Sequence, residues 1–142
     1  MALLPKAQAA KAINFTLNGL DGKRHALADY KGKVVFLNFW AAWCPPCRAE
    51  MPSLQKLFRS WDKKKYVLLA VNLQGTKKEV ASFAGQNGYT FPILLDETGQ
   101  IGAQYQVSGI PTTLIIDEKG NIVNRTVGSR EWTLETLKQI VP

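Results

Sequence analysis

The chain has 142 residues but only two cysteines and one histidine. Two cysteines cannot build the multi-bridge scaffold of a disulfide-rich domain. With a single histidine they also fall short of the four Cys/His ligands of a structural zinc site. Long apolar runs are missing too. The longest, Val34 to Pro46, covers about 13 residues and is interrupted by Asn38, against roughly 20 for a membrane-crossing helix. There are no internal repeats and no low-complexity stretches. Hydrophobic residues make up 46%, which excludes global disorder. The formal net charge is +7, yet no Arg-rich helix, zinc-finger spacing or aromatic-glycine RNA motif accompanies it. The basic residues, including Lys63-Lys64-Lys65 and Lys77-Lys78, therefore read as solvated surface, and no nucleic-acid partner is expected.

What is present reads as alternating strand and helix. A short strand over residues 14–17 ends in an Asn18-Gly19 turn, followed by a second turn at Leu20 to Lys23. Ala26 to Tyr30 fits one helical turn. Val34 to Trp40 is β-branched and aromatic without polar alternation, the pattern of a strand buried on both faces. Met51, Leu54, Leu57 and Phe58 have helical spacing over residues 45–60. Pro45 and Pro46 stand where a helix starts and their missing N–H groups cost nothing, while Pro52 should kink it. A second buried strand covers 66–73, and a helix over 76–87 has a Thr76/Glu79 capping box and Gly88 as its stop. A strand over 91–95, a short helix over 99–105, a hairpin of 112–117 and 121–126, and a helix over 130–140 complete the pass. Such an order implies a mixed sheet with helices on both faces. Ala2-Leu3-Leu4 is far shorter than the roughly 7–15 apolar residues of a signal core. Residues 1–12 are therefore expected to be a tail or the remnant of a signal, anchor or linker, and 13–142 one domain.

The cysteines sit in Trp43-Cys44-Pro45-Pro46-Cys47, between the central strand and a helix. Position 48 is Arg, so this is no haem-attachment site, and His25 alone supplies no second metal-ligand pair. A helix N-terminus offers free N–H groups and partial positive charge, which stabilise a thiolate, the attacking species in disulfide exchange. Cys44, at the helix edge, is expected to be exposed and to attack. Cys47, one turn on and more interior, is expected to resolve the mixed disulfide. The Pro-Pro pair stiffens the ring between them. Two-cysteine exchange needs no cofactor and no metal.

The segment Phe39 to Pro52 resembles a thioredoxin-fold active site, and more narrowly that of the TlpA/ResA-like branch, which includes the cytochrome c maturation thioredoxins. Asp29-Tyr30-Lys31-Gly32-Lys33 and Gly109-Ile110-Pro111-Thr112-Thr113 match the same branch, and the likeness covers about residues 13–141. It implies an α/β thioredoxin fold: a central mixed sheet flanked by helices on both faces, an N-terminal β extension, and an inserted strand-helix element between Gln74 and Asp96. It implies a cis Ile110–Pro111 bond facing the cysteines, with Ile110, Pro111 and Trp43 binding substrate and Trp43 covering the cysteine pair. Glu50 matches an acidic residue of the branch, placed to exchange a proton with Cys47. Asn38 stands where thioredoxins proper carry a buried aspartate, and is expected to be an active-site support or a core amide satisfied by backbone. Trp61 and Trp132 read as core, His25 as a surface residue rather than a base.

The activity implied is thiol–disulfide exchange with protein thiols and disulfides, by a monomeric reductant in a periplasmic or other extracytoplasmic compartment. A membrane anchor in a longer form, apocytochrome c as substrate, and a DsbD/CcdA-like membrane thiol transporter as electron donor follow from the same likeness. Three other readings stay open: a peptide-binding or chaperone module without turnover, a general cytosolic reductase, and a thiol peroxidase. The last lacks its Pro-x-x-x-Thr-x-x-Cys context upstream of Cys44.

Overall fold

The fold is built outward from one strand whose seven residues are all buried, β3 (Val34–Trp40). The computed structural model describes residues 10–142. Chain order begins with a hairpin of β1 (Thr16–Gly19) and β2 (Arg24–Ala26), then a 3-10 turn over Leu27–Tyr30, and β3. There follow α1 (Pro45–Ser60), β4 (Tyr66–Leu73), α2 (Lys77–Asn87), β5 (Ile93–Asp96) and α3 (Gln100–Gln104). The hairpin of β6 (Thr112–Ile116) and β7 (Ile122–Val127) leads to α4 (Leu134–Ile140). The sheet order is β2-β1-β5-β4-β3-β6-β7, with β3, β4 and β5 parallel and the remaining pairs antiparallel. This is the thioredoxin fold with the N-terminal β extension and the inserted strand that the resemblance implied.

The period of two along β3 splits its side chains between two cores. Val34, Phe36 and Trp40 pack with Met51, Leu54 and Leu57 of α1, Val80 and Ala84 of α2, and Leu137 and Ile140 of α4. Val35, Leu37 and Phe39 pack on the other face with Phe15, Leu27 and Tyr105. Fully burying each such side chain contributes on the order of 1.5–3 kcal/mol. One face therefore carries three helices, and the other the short α3 and the 3-10 turn. Asn38 is the polar exception in β3, wholly buried on the helix-rich face side of the alternation.

Several boundaries differ from the sequence reading. Asn18 and Gly19 are strand, not turn, because they pair with Leu95 and Leu94 of β5. Leu20 to Lys23 alone make the turn into β2, whose three residues carry no apolar alternation to betray a strand. The C-terminal helix starts at Leu134 rather than Arg130, with the Thr133 hydroxyl accepting from Thr136 N–H as its cap. Trp132 is buried, as expected, but lies ahead of that helix. Residues 1–9 of the expected tail lie outside the described residues. Lys11 bridges to Asn121, and Ala12 N–H donates to Gly120, so residues 10–12 are tied to the β6–β7 turn. His25 is half-buried: its ring pairs with the Asp21 carboxylate at 3.0 Å and the Tyr30 hydroxyl at 2.7 Å, pinning the hairpin to the 3-10 turn.

Candidate active site

Cys44 is the N-cap of α1 and is disulfide-bonded to Cys47, with Cα atoms 5.2 Å apart. Pro45 and Pro46 have no N–H, so the first backbone donor in this turn belongs to Cys47, and it points at Cys44 Sγ at 3.3 Å. Cys44 Sγ also lies 3.8 Å from the Ile110 carbonyl oxygen. The Ile110–Pro111 bond is cis, and the Pro111 carbonyl accepts from Gly128 N–H. The sulfur pair thus lies between a helix N-terminus and the loop that enters β6.

The expected exposure of Cys44 does not hold: it is 3% exposed, and Cys47 is fully buried. Cys44 Sγ turns inward toward Cys47 and Ile110 rather than out from the helix end. Trp43 is 76% exposed, so its side chain stands out in solvent instead of sealing the cysteines. Val127 is a second exposed apolar side chain, 62% exposed and paired with Thr112 beside the cis-proline loop. It was missed in the sequence, where a valine ending a hairpin strand carries no signal of exposure.

Glu50 lies on α1 three residues after Cys47, a spacing that places the two on neighbouring positions of one helix face. It is 3% exposed. Its Oε1 accepts from Asn38 Nδ2 at 3.0 Å, and its Oε2 accepts from Arg130 N–H at 3.0 Å and Trp132 Nε1–H at 3.2 Å. Burial pushes the Glu50 carboxyl above the usual glutamate range, against the pull of those donors and of the Arg130 charge. The Asn38 amide N–H groups go to side chains rather than backbone, with Nδ2 also donating to Thr113 Oγ1 at 3.0 Å, while Oδ1 is buried with no partner among the described residues. Arg130 and Trp132 reach Glu50 from 80 and 82 residues away and Thr113 reaches Asn38 from 75, which local spacing could not reveal.

Residues 9–125 match the model of the AhpC/TSA family. The chain belongs to that family. It is 41% identical to the thiol-disulfide oxidoreductase ResA of Geobacillus thermodenitrificans, over 94% of this chain and 75% of that protein. It is 45% identical to the thioredoxin-like protein YneN of Bacillus subtilis, over 86% of this chain and 72% of that protein. Among solved structures it superposes on a putative thiol:disulfide interchange protein DsbE from Chlorobium tepidum with a TM-score of 0.85 and 35% identity, covering 97% and 96% of the two chains. Within the family the chain is a ResA-like, thioredoxin-fold protein disulfide oxidoreductase with a Cys-x-x-Cys disulfide.

Proposed function

We propose that the chain reduces protein disulfides in an extracytoplasmic compartment, with the Cys44–Cys47 pair as its sole redox group. The observation that carries this reading is the placement of Cys44 Sγ, facing the Cys47 N–H at 3.3 Å and the Ile110 carbonyl at 3.8 Å. An N–H aimed at sulfur favours thiolate over thiol. A bound extended segment finds a backbone edge at Ile110 and apolar contacts at Trp43 and Val127, the mode of strand addition.

In the reduced protein the Cys44 thiolate attacks one sulfur of a substrate disulfide. A Cys44–substrate bond forms, the substrate bond breaks, and one substrate thiolate leaves. Cys47 then attacks Cys44 Sγ, the Cys44–Cys47 bond forms, and the second substrate thiolate leaves. Two electrons pass to the substrate. Glu50, ionised, takes the Cys47 thiol proton as that sulfur becomes nucleophilic, and returns it when the pair is re-reduced. Pro45, Pro46 and Asn38 fix this geometry, and Pro111 with Ile110 and Trp43 binds substrate. The domain is residues 13–142, acting as a monomer.

The resemblance to the cytochrome c maturation branch favours the haem-binding cysteines of apocytochrome c as substrate and a membrane thiol transporter as electron donor. The test is reduction of insulin, and of a disulfide-bonded Cys-x-x-Cys-His peptide, by the dithiol protein. Wild type should reduce the peptide faster than insulin, and Cys44→Ser should reduce neither. Full activity of Cys44→Ser would overturn the mechanism. Equal rates on both substrates would remove the apocytochrome assignment and leave the exchange reaction standing.

A further inference from the structure

Topology gathers charge that the sequence scatters. Four segments meet at the end of the sheet where β3 begins: residues 10–12, 31–33, 62–65 and 117–121. Gly32 N–H donates to the Glu118 carbonyl at 3.1 Å, Lys33 Nζ to the Lys63 carbonyl at 3.1 Å, Val34 N–H to the Lys65 carbonyl at 2.9 Å, and Ala12 N–H to the Gly120 carbonyl at 2.8 Å. These segments hold seven lysines against three carboxylates. Lys31 and Lys33 precede β3, Lys63 to Lys65 precede β4, Lys119 is in the β6–β7 turn, and Lys11 pairs beside it. All but the half-buried Lys33 are exposed.

None of the seven lysines forms an ion pair among the described residues. Two of the three carboxylates are engaged in turns: Asp62 accepts from Lys64 N–H at 2.9 Å, and Asp117 Oδ1 from Lys119 and Asn121 N–H at 3.0 and 2.8 Å. A cleft of about 330 Å³ opens among Lys11, Lys31, Lys33 and Lys119, over Leu27 and Val35. Asp117 also lines it, but its Oδ2 is buried, so the cleft presents lysine charge rather than carboxylate to solvent.

We propose that this lysine pole docks on an anionic phospholipid surface, for which phosphatidylglycerol serves as the probe. One headgroup phosphate sits at the mouth of the cleft, among Lys11, Lys31 and Lys119. The four segments contain no arginine, and the aromatic residue lining the cleft, Tyr30, has its hydroxyl tied to His25. Nucleic-acid sites draw on arginine forks and stacking platforms, whereas lysine point charges suit a mobile plane of phosphates. Docking this way leaves the disulfide free, since it lies beyond the other end of β3, roughly 20 Å away at about 3.3 Å per residue. The inference is independent of the redox direction proposed above.

The test is co-sedimentation of the full chain with vesicles of phosphatidylcholine containing increasing phosphatidylglycerol, at low salt. Binding should rise with phosphatidylglycerol and disappear in 0.5 M NaCl, where screening is within a few ångströms. Lys31→Gln/Lys119→Gln should weaken it roughly thirtyfold, at about fivefold per lysine. Lys77→Gln/Lys78→Gln on α2, with the same net charge, should stay within about threefold of wild type. Thermal unfolding of both variants confirms that each is folded. Absence of binding at low salt, or equal losses in the two variants, overturns the proposal. So does tighter binding to duplex DNA than to vesicles through the same two lysines, which would reassign the pole to nucleic acid.

Discussion

The two ends of β3 handle charge in opposite ways. Beyond Trp40, α1 buries the Glu50 carboxylate among three donors, one helical turn from the disulfide. Before Val34, the chain raises lysines on turns and leaves all but Lys33 in water. Desolvation makes Glu50 strongly sensitive to its immediate neighbours, so the chemistry at that end depends on individual atoms. At the other end the field is a sum over many screened charges, and no single lysine dominates. Single substitutions should therefore matter greatly at one end and little at the other.

The largest effect is expected at Cys44. Cys44→Ser should drop disulfide reduction to the uncatalysed background in an insulin assay while leaving the fold intact. Next comes Glu50→Gln, which keeps the size and removes the proton acceptor. Turnover should fall roughly 10²-fold, the lower part of the general acid–base range, with the pH dependence of the rate changed in shape. Stability should also separate the two proteins. The folded carboxyl titrates above the usual glutamate range, so the native state holds a proton that the unfolded chain has released. Wild type should lose stability as pH rises from the ordinary glutamate value through the raised one, and Glu50→Gln should lack that component in urea titrations at a series of pH values.

A smaller effect is expected at Trp132. Trp132→Phe keeps the ring in its core position against Phe36 but removes the Nε1–H that Glu50 accepts. The loss should be about 1 kcal/mol of stability, and the Glu50 titration should move further up because one stabiliser of the anion is gone. The smallest effect is expected from Lys31→Gln/Lys119→Gln on turnover of a neutral peptide disulfide. The rate should be unchanged within error, and a tenfold loss would break the contrast between the ends.

The same contrast explains what the sequence disclosed. The Cys44–Cys47 spacing, the two prolines and the apolar run before them are local, so β3, α1 and the disulfide were all readable from one stretch. Likewise Thr76 and Gly88 bounded α2, because caps are local side-chain chemistry. Features set by distant partners were not readable. Arg130 to Thr133 carry no glycine or proline to delay the helix of Leu134, Leu137 and Ile140, yet Arg130 N–H and the Trp132 indole are committed to Glu50, and the helix waits until Leu134. β2 exists because Thr16, Leu17 and Asn18 pair with it, not because Arg24-His25-Ala26 favours a strand. Cys44 is buried by the way its sulfur faces Ile110, 66 residues on. The lysine pole needed the sheet order to bring Lys33, Lys65 and Glu118 side by side.

Exchange depends above all on Cys44 being the attacking sulfur and Cys47 the resolving one. The most direct measurement is mass spectrometry of the mixed disulfides formed when reduced Cys47→Ser and reduced Cys44→Ser are each offered a peptide disulfide. Cys47→Ser should accumulate an adduct on Cys44, and Cys44→Ser should form little or none. A stable, faster-forming adduct on Cys47 would reverse the roles and contradict the account.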